Sequence, residues 1–263
     1  MMKIGILYIA TGNYSCFWSE FYRSAEQFLF SDEEKHYFVF TDSTEIKGDN
    51  VTIVRRECQG FPADSLFRFE MFLSIKDQLE KMDYLYFFNS NVVFTDKTGD
   101  ELVPEASHNF LLGAIHPMES IRKYPPLLFT YERNKNSLAY IPPHQKEKYH
   151  YYMGGFNGGR TAEFLKLCET LAKNIRVDYE NGIIARFHDE SHINRYFRDF
   201  PPLTLSREYA VFEGWHLDIK CKLVFRDKTK VSTVFQKNKV SFFARAMRLC
   251  RKFLSGISWY LCG

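Results

Sequence analysis

Five polar, mostly titratable residues stand in a row at His188-Asp189-Glu190-Ser191-His192. Two histidines four positions apart share one face of a helix, a spacing that suits zinc. Glu190, however, is two positions after His188, about 200° around a helix, so it cannot serve a metal on the histidine face. The other interpretation is a helix start, with Asp189 as N-cap and Glu190 complementing the helix dipole. The run alone favours this helix start over a zinc-dependent hydrolase.

Two further motifs are polar or glycine-rich. Residues 154–159, Gly-Gly-Phe-Asn-Gly-Gly, lack the Gly-Lys-Ser/Thr of a P-loop and the spacing of a dinucleotide fingerprint. They predict either a tight turn or a backbone that approaches a ligand where no Cβ fits. Asn89-Ser90-Asn91 follows an apolar run. Its amides suit a sugar or ribose but bring no anionic charge for a divalent cation, and a simple β-turn is the alternative.

Apolar runs and helical periodicity predict the elements that carry these motifs. The predicted strands cover residues 3–10, 37–40, 51–54, 84–88, 92–94, 110–116 and 223–225. The predicted helices cover residues 17–30, 65–82, 161–176, 190–197 and 241–262. Alternating strands and helices indicate an α/β fold with a mainly parallel sheet, which binds ligands at the carboxyl ends of its strands. Residues 11–14 and 89–91 follow two such ends.

Taken in order, several segments resemble glycosyltransferase family 6, which includes the blood-group A and B transferases, α1,3-galactosyltransferases and shorter bacterial relatives. The resemblance covers roughly residues 3–230. The matching segments are Tyr37-x-Val39-Phe40-Thr41-Asp42, Asp83-Tyr84-Leu85 with Asn89-Ser90-Asn91, His116-Pro117, Phe129-Thr130-Tyr131-Glu132-Arg133, Ala139-Tyr140-Ile141-Pro142, Tyr151-Tyr152-Met153-Gly154-Gly155-Phe156 and His188-Asp189-Glu190-Ser191-His192-x-Asn194. Each segment is weak alone, whereas the ordered set is specific.

The resemblance implies a single-domain GT-A fold and retaining transfer of Gal or GalNAc from a UDP-sugar in an α1,3 linkage. It implies that Glu190 is the catalytic glutamate. The implied donor contacts are Ile9, Ala10, Thr11, Tyr14, Arg68, Asn89, Ser90, Asn91, Met153, Gly154, Gly155, Asp189, Arg226, Lys228 and Lys230. The implied acceptor contacts are His116, Thr130, Phe187 and, in a looser alignment, Glu213. A retaining reaction leaves two roles open for Glu190, as nucleophile or as stabiliser of oxocarbenium character.

Asn89-Ser90-Asn91 stands where animal members carry a metal-binding Asp-x-Asp. Bacterial relatives with Asn-x-Asn resemble metal-independent enzymes, so no metal and no other cofactor is expected. Departing UDP develops negative charge that needs neutralisation. Arg226, Lys228 and Lys230 are expected to supply it, although a solvated strand end would also account for this basic cluster.

Substrate choice is expected to depend on the glycines. The resemblance implies that Met153-Gly154-Gly155 flanks the C2 substituent of the donor sugar, where Gly155 would leave room for an N-acetyl group. This favours UDP-GalNAc, with UDP-Gal as the alternative. The expected acceptor is a glycan ending in a β-galactoside, fucosylated as in blood-group H structures or not, such as a bacterial lipopolysaccharide precursor. A sugar-binding module without catalysis is a further alternative, and it would not consume a UDP-sugar.

Composition sets the remaining limits. The 263 residues are 45% hydrophobic and 17% aromatic, which excludes disorder. The net charge of +3 divides unequally, because residues 231–263 contain six basic residues and no acid, leaving 29 basic and 32 acidic residues in 1–230. We therefore expect a glycosyltransferase domain at 1–230 and a basic tail at 231–263.

The tail predicts a membrane-surface helix. Arg245, Arg248, Arg251 and Lys252 share one helical face and apolar residues cover most of the rest, which suits an anionic headgroup region. Docking on the domain's own core is the alternative. Nucleic acid is not expected, because the acidic body would oppose it. The scattered cysteines indicate reduced thiols, so we expect a cytoplasmic protein held peripherally at the inner face of the cytoplasmic membrane.

Overall fold

The structure, a computed structural model, describes residues 1–144, 149–236 and 241–262, with the backbone alone for 242–246 and 262. The strands are β1 (Lys3–Ile9), β2 (Glu34–Thr41), β3 (Val51–Arg55), β4 (Tyr84–Phe88), β5 (Val92–Phe94), β6 (Leu111–Ile115), β7 (Tyr152–Arg160), β8 (Leu203–Leu205), β9 (Val211–Phe212) and β10 (Leu223–Phe225). The α-helices are α1 (Trp18–Phe28), α2 (Ala63–Leu66), α3 (Arg68–Leu73), α4 (Lys76–Leu79), α5 (Pro117–Ser120), α6 (Thr161–Glu180), α7 (His188–Asp199), α8 (Lys228–Val231) and α9 (Phe242–Cys262). Short 3₁₀ turns include Gly12–Phe17 and Pro126–Leu128.

A seven-stranded sheet in the order β3-β2-β1-β4-β7-β6-β8 forms the centre of the fold. Every strand is parallel to its neighbours except β7, which runs antiparallel to β4 and β6. The predicted α/β fold with a mainly parallel sheet is therefore confirmed. Helix α1 packs its aromatic residues against one face, and α6 and α7 cover the other. A second sheet, β5-β10-β9, lies beside it.

The glycine segment is a central strand, so its interpretation as a tight turn was wrong. All of β7 except Arg160 is buried between β4 and β6. A Cβ at Gly158 would lie 2.4 Å from the carbonyl oxygen of Leu85, closer than any non-bonded carbon can approach. Glycine is needed here because backbone and aromatic rings of the neighbouring strand fill the space. The antiparallel direction places residues 153–155 beside Asn89, at the carboxyl edge of the parallel strands.

The prediction of one continuous helix at 65–82 was wrong. The backbone leaves the helical region at Phe67 and Ile75, which separates α2, α3 and α4. Its buried residues Leu66, Phe69, Met71, Phe72 and Leu79 would spread over about 220° of one straight helix. Because a helix lying on a sheet buries a narrower stripe, breaking it lets all five reach the core.

Helix α9 packs on the domain's own surface. Trp259 is 5% exposed, its indole Nε1 donates to the carbonyl of Ile141 at 2.8 Å, and it joins the aromatic cluster of Phe129, Tyr131 and Tyr151. The docking alternative is therefore confirmed for this face of the helix. Lys237 and Lys239 of the tail lie outside the described residues, as does the side chain of Arg245. None of the helices in the described part of the chain has the length and hydropathy needed to cross a membrane.

Candidate active site

Three neighbouring cavities share lining residues, and the first two lie at the carboxyl edge of the parallel strands. The β1–β4 cavity, about 590 Å³, is lined by residues after β1 and β4, including Thr11, Tyr14 and Asn89. The Glu190 cavity, about 260 Å³, lies between β7 and the start of α7. The α9 cavity, about 620 Å³, lies between Thr130, Phe187 and helix α9. Arg68 and Asn89 line the first two, while Phe187 lines the last two, so the three form one continuous region.

Glu190 is held by two hydrogen bonds. The Tyr151 hydroxyl donates to Oε1 at 2.6 Å, and the Gly154 N–H donates to Oε2 at 2.7 Å. Burial raises the pKa of Glu190 to about 7, against the effect of these two donors. The carboxylate is therefore fixed in orientation and titrates close to neutral pH, which is typical of a catalytic group.

Asn194 fixes helix α7 to strand β7. Its Oδ1 accepts from the N–H of Tyr152 at 2.8 Å, and its Nδ2 donates to the carbonyl of Tyr152 at the same distance. Nδ2 also donates to the carbonyl oxygen of Glu190 at 2.9 Å. One amide side chain thus sets the position of the first turn of α7, and with it the Glu190 carboxylate.

Arg68 and Asp189 form a buried ion pair beside Glu190. Nη2 of Arg68 is 3.0 Å from Oδ2 of Asp189, and both side chains are less than a tenth exposed. Nη1 of Arg68 donates to the carbonyl of Gly154 at 2.8 Å, and its guanidinium lies over Phe87. Burial lowers the pKa of Arg68 and raises that of Asp189. The pair fixes the Arg68 guanidinium, its charge balanced by Asp189, where the β1–β4 and Glu190 cavities meet.

Segment 226–236 closes over the β1–β4 cavity. Phe235 packs on Tyr14, with ring centroids 5.0 Å apart. Nζ of Lys228 lies 3.2 Å from the Tyr14 hydroxyl and 4.6 Å from its ring centroid. On the opposite wall, Thr11 donates its hydroxyl to Asp64 at 3.0 Å. An aromatic ring, a lysine and a hydroxyl group therefore converge on one space.

The Asn-x-Asn motif connects strands as well as lining the site. Asn89 lines both cavities, and its N–H donates to the carbonyl of Gly155 at 2.8 Å. The carbonyl of Ser90 accepts from the Tyr8 hydroxyl at 2.9 Å. Nδ2 of Asn91 donates to the carbonyl of Arg226 at 2.7 Å. The third residue of the motif thus fixes the segment that carries the basic cluster.

Two of the three predicted phosphate-binding cations are already paired. Nε of Arg226 is 3.0 Å from Glu213, and its Nη1 contacts Glu20. Lys230 is 3.3 Å from the other oxygen of Glu213. Of this basic cluster, Lys228 is the member that lines the β1–β4 cavity as described. Glu213, predicted to bind the acceptor, lies among these cations.

The remaining predicted residues divide into two groups. Ile9 lines the β1–β4 cavity, and Gly154, Gly155 and Asp189 line the Glu190 cavity. Ala10 and Met153 are buried with the hydrophobic core.

His116 lies behind Tyr151, with ring centroids 5.6 Å apart. Its Nδ1 accepts from the Met118 N–H at 3.0 Å, and burial lowers its pKa to about 4. It is therefore a neutral imidazole packed against Tyr151, whose hydroxyl holds Glu190.

The two histidines of the zinc interpretation do not share a helix face. His188 has φ +51°, outside the helical region, and its ring packs against Phe61. His192 is buried, with Nε2 3.5 Å from Asp178. Asp189 is not the N-cap either, because α7 begins at His188, one residue earlier. Throughout the described residues, no three His, Cys, Asp or Glu side chains are grouped as a metal site requires.

Several site residues had no sequence signal. Tyr151 and Asn194 lie in segments that match the family, but their residue types and spacing do not indicate that they hold Glu190. Asp64, Phe235 and Arg186 line the cavities from short helical turns and a loop, whose place in the fold sequence periodicity cannot reveal. Their roles depend on chain crossings that only the structure shows.

A mixed sheet with a nucleotide-sized cavity at its carboxyl edge and a fixed carboxylate beside it defines a GT-A-like transferase. The family model described as glycosyltransferase family 6 matches residues 1–240. This chain belongs to that family and is a hexosyltransferase.

Named relatives agree with this assignment. The chain is 36% identical over 234 residues to the O-antigen biosynthesis glycosyltransferase WbnI of Escherichia coli, covering 88% of this chain and 97% of WbnI. It is 31% identical over 222 residues to globoside alpha-1,3-N-acetylgalactosaminyltransferase 1 of Gallus gallus, and 32% identical over 220 residues to histo-blood group ABO system transferase 1 of Rattus norvegicus. These two matches each cover 79% of this chain but only 61% and 60% of the animal protein.

Proposed function

We propose that this hexosyltransferase moves GalNAc, with retention, from UDP-GalNAc to a terminal β-galactoside and forms an α1,3 linkage. The observation that carries the proposal is Glu190, held at 2.6 Å and 2.7 Å by two donors in a cavity continuous with the β1–β4 cavity. The name of the Gallus gallus relative specifies alpha-1,3-N-acetylgalactosaminyl transfer, and that of the Escherichia coli relative specifies O-antigen biosynthesis. The acceptor is accordingly a lipopolysaccharide precursor, either fucosylated or not.

The proposed reaction breaks the bond between the sugar C1 and the diphosphate, and UDP leaves with the electron pair. The acceptor hydroxyl oxygen then bonds to C1, displacing Glu190 where it has bonded there, and its proton passes to an oxygen of the departing UDP diphosphate. Glu190 acts either by bonding to C1 in a first displacement or by stabilising positive charge on the sugar. Both courses need the ionised carboxylate, so activity should follow the titration of Glu190.

The proposed enzyme needs no divalent metal. Arg68 lines both donor cavities and Lys228 lines the β1–β4 cavity, so both can oppose charge on the diphosphate. Arg226 and Lys230 instead keep segment 226–236 in place through Glu213. Lys228→Gln should lower kcat at least tenfold, an effect that is typical of losing one charge-stabilising group. Lys220→Gln, which removes an exposed lysine paired with Asp96, is the matched control, and unchanged activity in EDTA is expected.

Gly155 was expected to leave room for the N-acetyl group of the donor, but side chains of the protein fill the space beside it. A Cβ at Gly154 would point at Glu190 and Asp189, whereas one at Gly155 would lie 2.7 Å from Nδ2 of Asn89. A larger residue at 155 would therefore act on the donor by displacing Asn89, which lines both cavities. Gly155→Ala should accordingly lower the rates with UDP-GalNAc and with UDP-Gal alike, because the Cβ would meet Asn89 and Phe225 and not open space for an N-acetyl group.

Mass spectrometry of products tests the whole proposal. Purified protein is given UDP-GalNAc or UDP-Gal with a β-galactoside-terminated trisaccharide, fucosylated or not, with and without EDTA. We expect a HexNAc addition from UDP-GalNAc that persists in EDTA and disappears in Glu190→Gln. Faster transfer from UDP-Gal would replace the donor assignment, and a linkage other than α1,3 in the product would overturn the regiochemistry.

We also propose that the enzyme works at the inner face of the cytoplasmic membrane. Outward-facing apolar residues of α9 support this, with Leu249, Phe253, Leu254 and Leu261 between 46% and 75% exposed. Phe253→Ser/Leu254→Ser should reduce co-sedimentation with vesicles containing phosphatidylglycerol. The exposed residue Ile184, outside α9, provides the control Ile184→Ser, and equal sedimentation of both variants would refute membrane docking by α9.

A further inference from the structure

The α9 cavity is strongly cationic. Its lining includes Arg133, Arg186, Arg248, Arg251 and Lys252. Among its described lining residues, Glu132 is the one acid. Both oxygens of Glu132 already accept backbone N–H groups, from Arg133 and Asn134 on one side and Arg186 on the other. The cavity therefore has four more positive than negative side chains.

These cations repel one another without internal compensation. Within the described part of the chain, Arg186, Arg248, Arg251 and Lys252 form no ion pair with a carboxylate. Burial and then the charges of Arg186 and Arg133 lower the pKa of Lys252. Burial and then Arg186 lower the pKa of Arg133 to about 10. An anion placed among them would relieve this repulsion, and partial burial would strengthen the attraction.

Packing holds the cavity open in this arrangement. Nη1 of Arg133 donates to the hydroxyl of Ser255 at 2.6 Å, and its guanidinium lies over Trp259. A Cβ at Gly256 would lie 2.1 Å from the carbonyl of Leu127, so only glycine lets the helix approach this closely. Three cations of α9, Arg248, Arg251 and Lys252, therefore lie along the wall of this cavity.

The cavity continues from the reaction centre on the acceptor side. Arg186 and Phe187 line both it and the Glu190 cavity. Thr130 and Phe187, both predicted acceptor contacts, are part of its wall. A glycan that presents its terminal sugar to Glu190 would extend its next residues beneath α9.

We propose that the α9 cavity binds a phosphate or carboxylate group carried by the acceptor glycan, beyond the sugar that receives the new residue. The proposal rests on the proposed function, since it extends the acceptor site of that reaction. It makes α9 part of substrate recognition, and it makes an anionic glycan the preferred acceptor.

Calorimetry without donor tests the site directly. The probes are one β-galactoside-terminated trisaccharide and its derivatives with a reducing-end phosphate or carboxylate. The wild-type chain should bind an anionic derivative at least tenfold more tightly than the neutral glycan, with a difference that shrinks as salt increases. Arg248→Gln/Arg251→Gln removes two exposed cations and should abolish the difference. Lys173→Gln, an exposed lysine of α6 outside the cavity lining, should preserve it.

Equal affinity of the wild type for neutral and anionic glycans would overturn the proposal, as would a preference that survives in the double variant.

Product formation distinguishes failure of the anion-binding proposal from failure of the proposed function. Transfer to the neutral glycan without anion preference would leave the function standing and refute the cavity's role. An anion preference that is lost in the double variant, with no transfer to any probe, would refute the function alone. If the double variant lost binding to phosphatidylglycerol vesicles but kept its preference for anionic glycans, the cations would belong to the lipid surface and the proposal would fail.

Discussion

Replacing Glu190 with glutamine should stabilise the protein at pH 8 while removing its activity. The pKa of Glu190 is about 7 in the folded chain, against an ordinary value of 4.5. Between these values the folded state holds a proton that the unfolded state has lost. The stabilising effect of this proton is complete below pH 4.5 and is lost as pH rises through 7. Glutamine does not titrate, so the variant avoids this loss.

The size of the effect follows from the shift. About 2.5 pKa units correspond to about 3 kcal/mol, the full cost of ionising the buried group above pH 7. In the variant, Oε1 can still accept from Gly154, and Nε2 can donate to the Tyr151 hydroxyl oxygen if that hydroxyl rotates. The exchanged hydrogen bond should cost about 1 kcal/mol. The variant should then be about 2 kcal/mol more stable than wild type at pH 8.

Urea denaturation at pH 5 and pH 8 provides the assay. The stability difference between variant and wild type should grow by about 2 kcal/mol across this range. Glu45→Gln, at an exposed carboxylate, should show no comparable growth. A Glu190→Gln difference that stays constant with pH would show that Glu190 is ionised over the whole range, and would refute the elevated pKa.

Three further predictions follow from the same contacts. The kcat/KM should rise about tenfold from pH 6 to pH 8 as Glu190 ionises around pH 7, and a flat kcat/KM profile would contradict this. Gly158→Ala should lower stability by at least about 2 kcal/mol or prevent folding, because its Cβ would overlap the Leu85 carbonyl, as thermal denaturation will show. Trp259→Ala should destabilise the chain by about 3 kcal/mol and weaken acceptor binding in calorimetry, whereas Leu261→Ser, at a side chain 75% exposed, should do neither.

The parallel half of the fold was predictable because each strand is a short apolar run followed by polar residues. Strands β1 to β4 match their predicted positions within a few residues. Because each strand is followed by polar residues, the sequence also predicted that Thr11 and Asn89 lie at the carboxyl edge of the sheet. Local sequence pattern was sufficient there, because buried parallel strands are hydrophobic on both faces.

Strand β7 was not predictable in the same way. Its four glycines contradict strand propensity, and their necessity comes from neighbours distant in sequence, such as the Leu85 carbonyl and the Asn89 amide. Helix α9 illustrates a second limit. Its apolar and basic faces predict a membrane surface and a protein surface equally well, and only the place of Trp259 beside Ile141 decides for one face.

The run of basic residues at 226–230 did not reveal which of its members line the β1–β4 cavity. Arg226, Lys228 and Lys230 are alternate residues, but Arg226 and Lys230 meet Glu213, which the parallel pair of β9 and β10 brings beside them. Lys228 alone of the three lines the β1–β4 cavity as described, and it is carried by the segment that folds over Tyr14. Arg68 comes from the opposite side, fixed by Asp189 and the carbonyl of Gly154. If the diphosphate is neutralised without a metal, Arg68 is therefore held in place by the core before the donor binds. The position of Lys228 instead depends on segment 226–236 folding over Tyr14. Disrupting Glu213 should then weaken donor binding through Lys228, although Glu213 itself lines neither donor cavity as described.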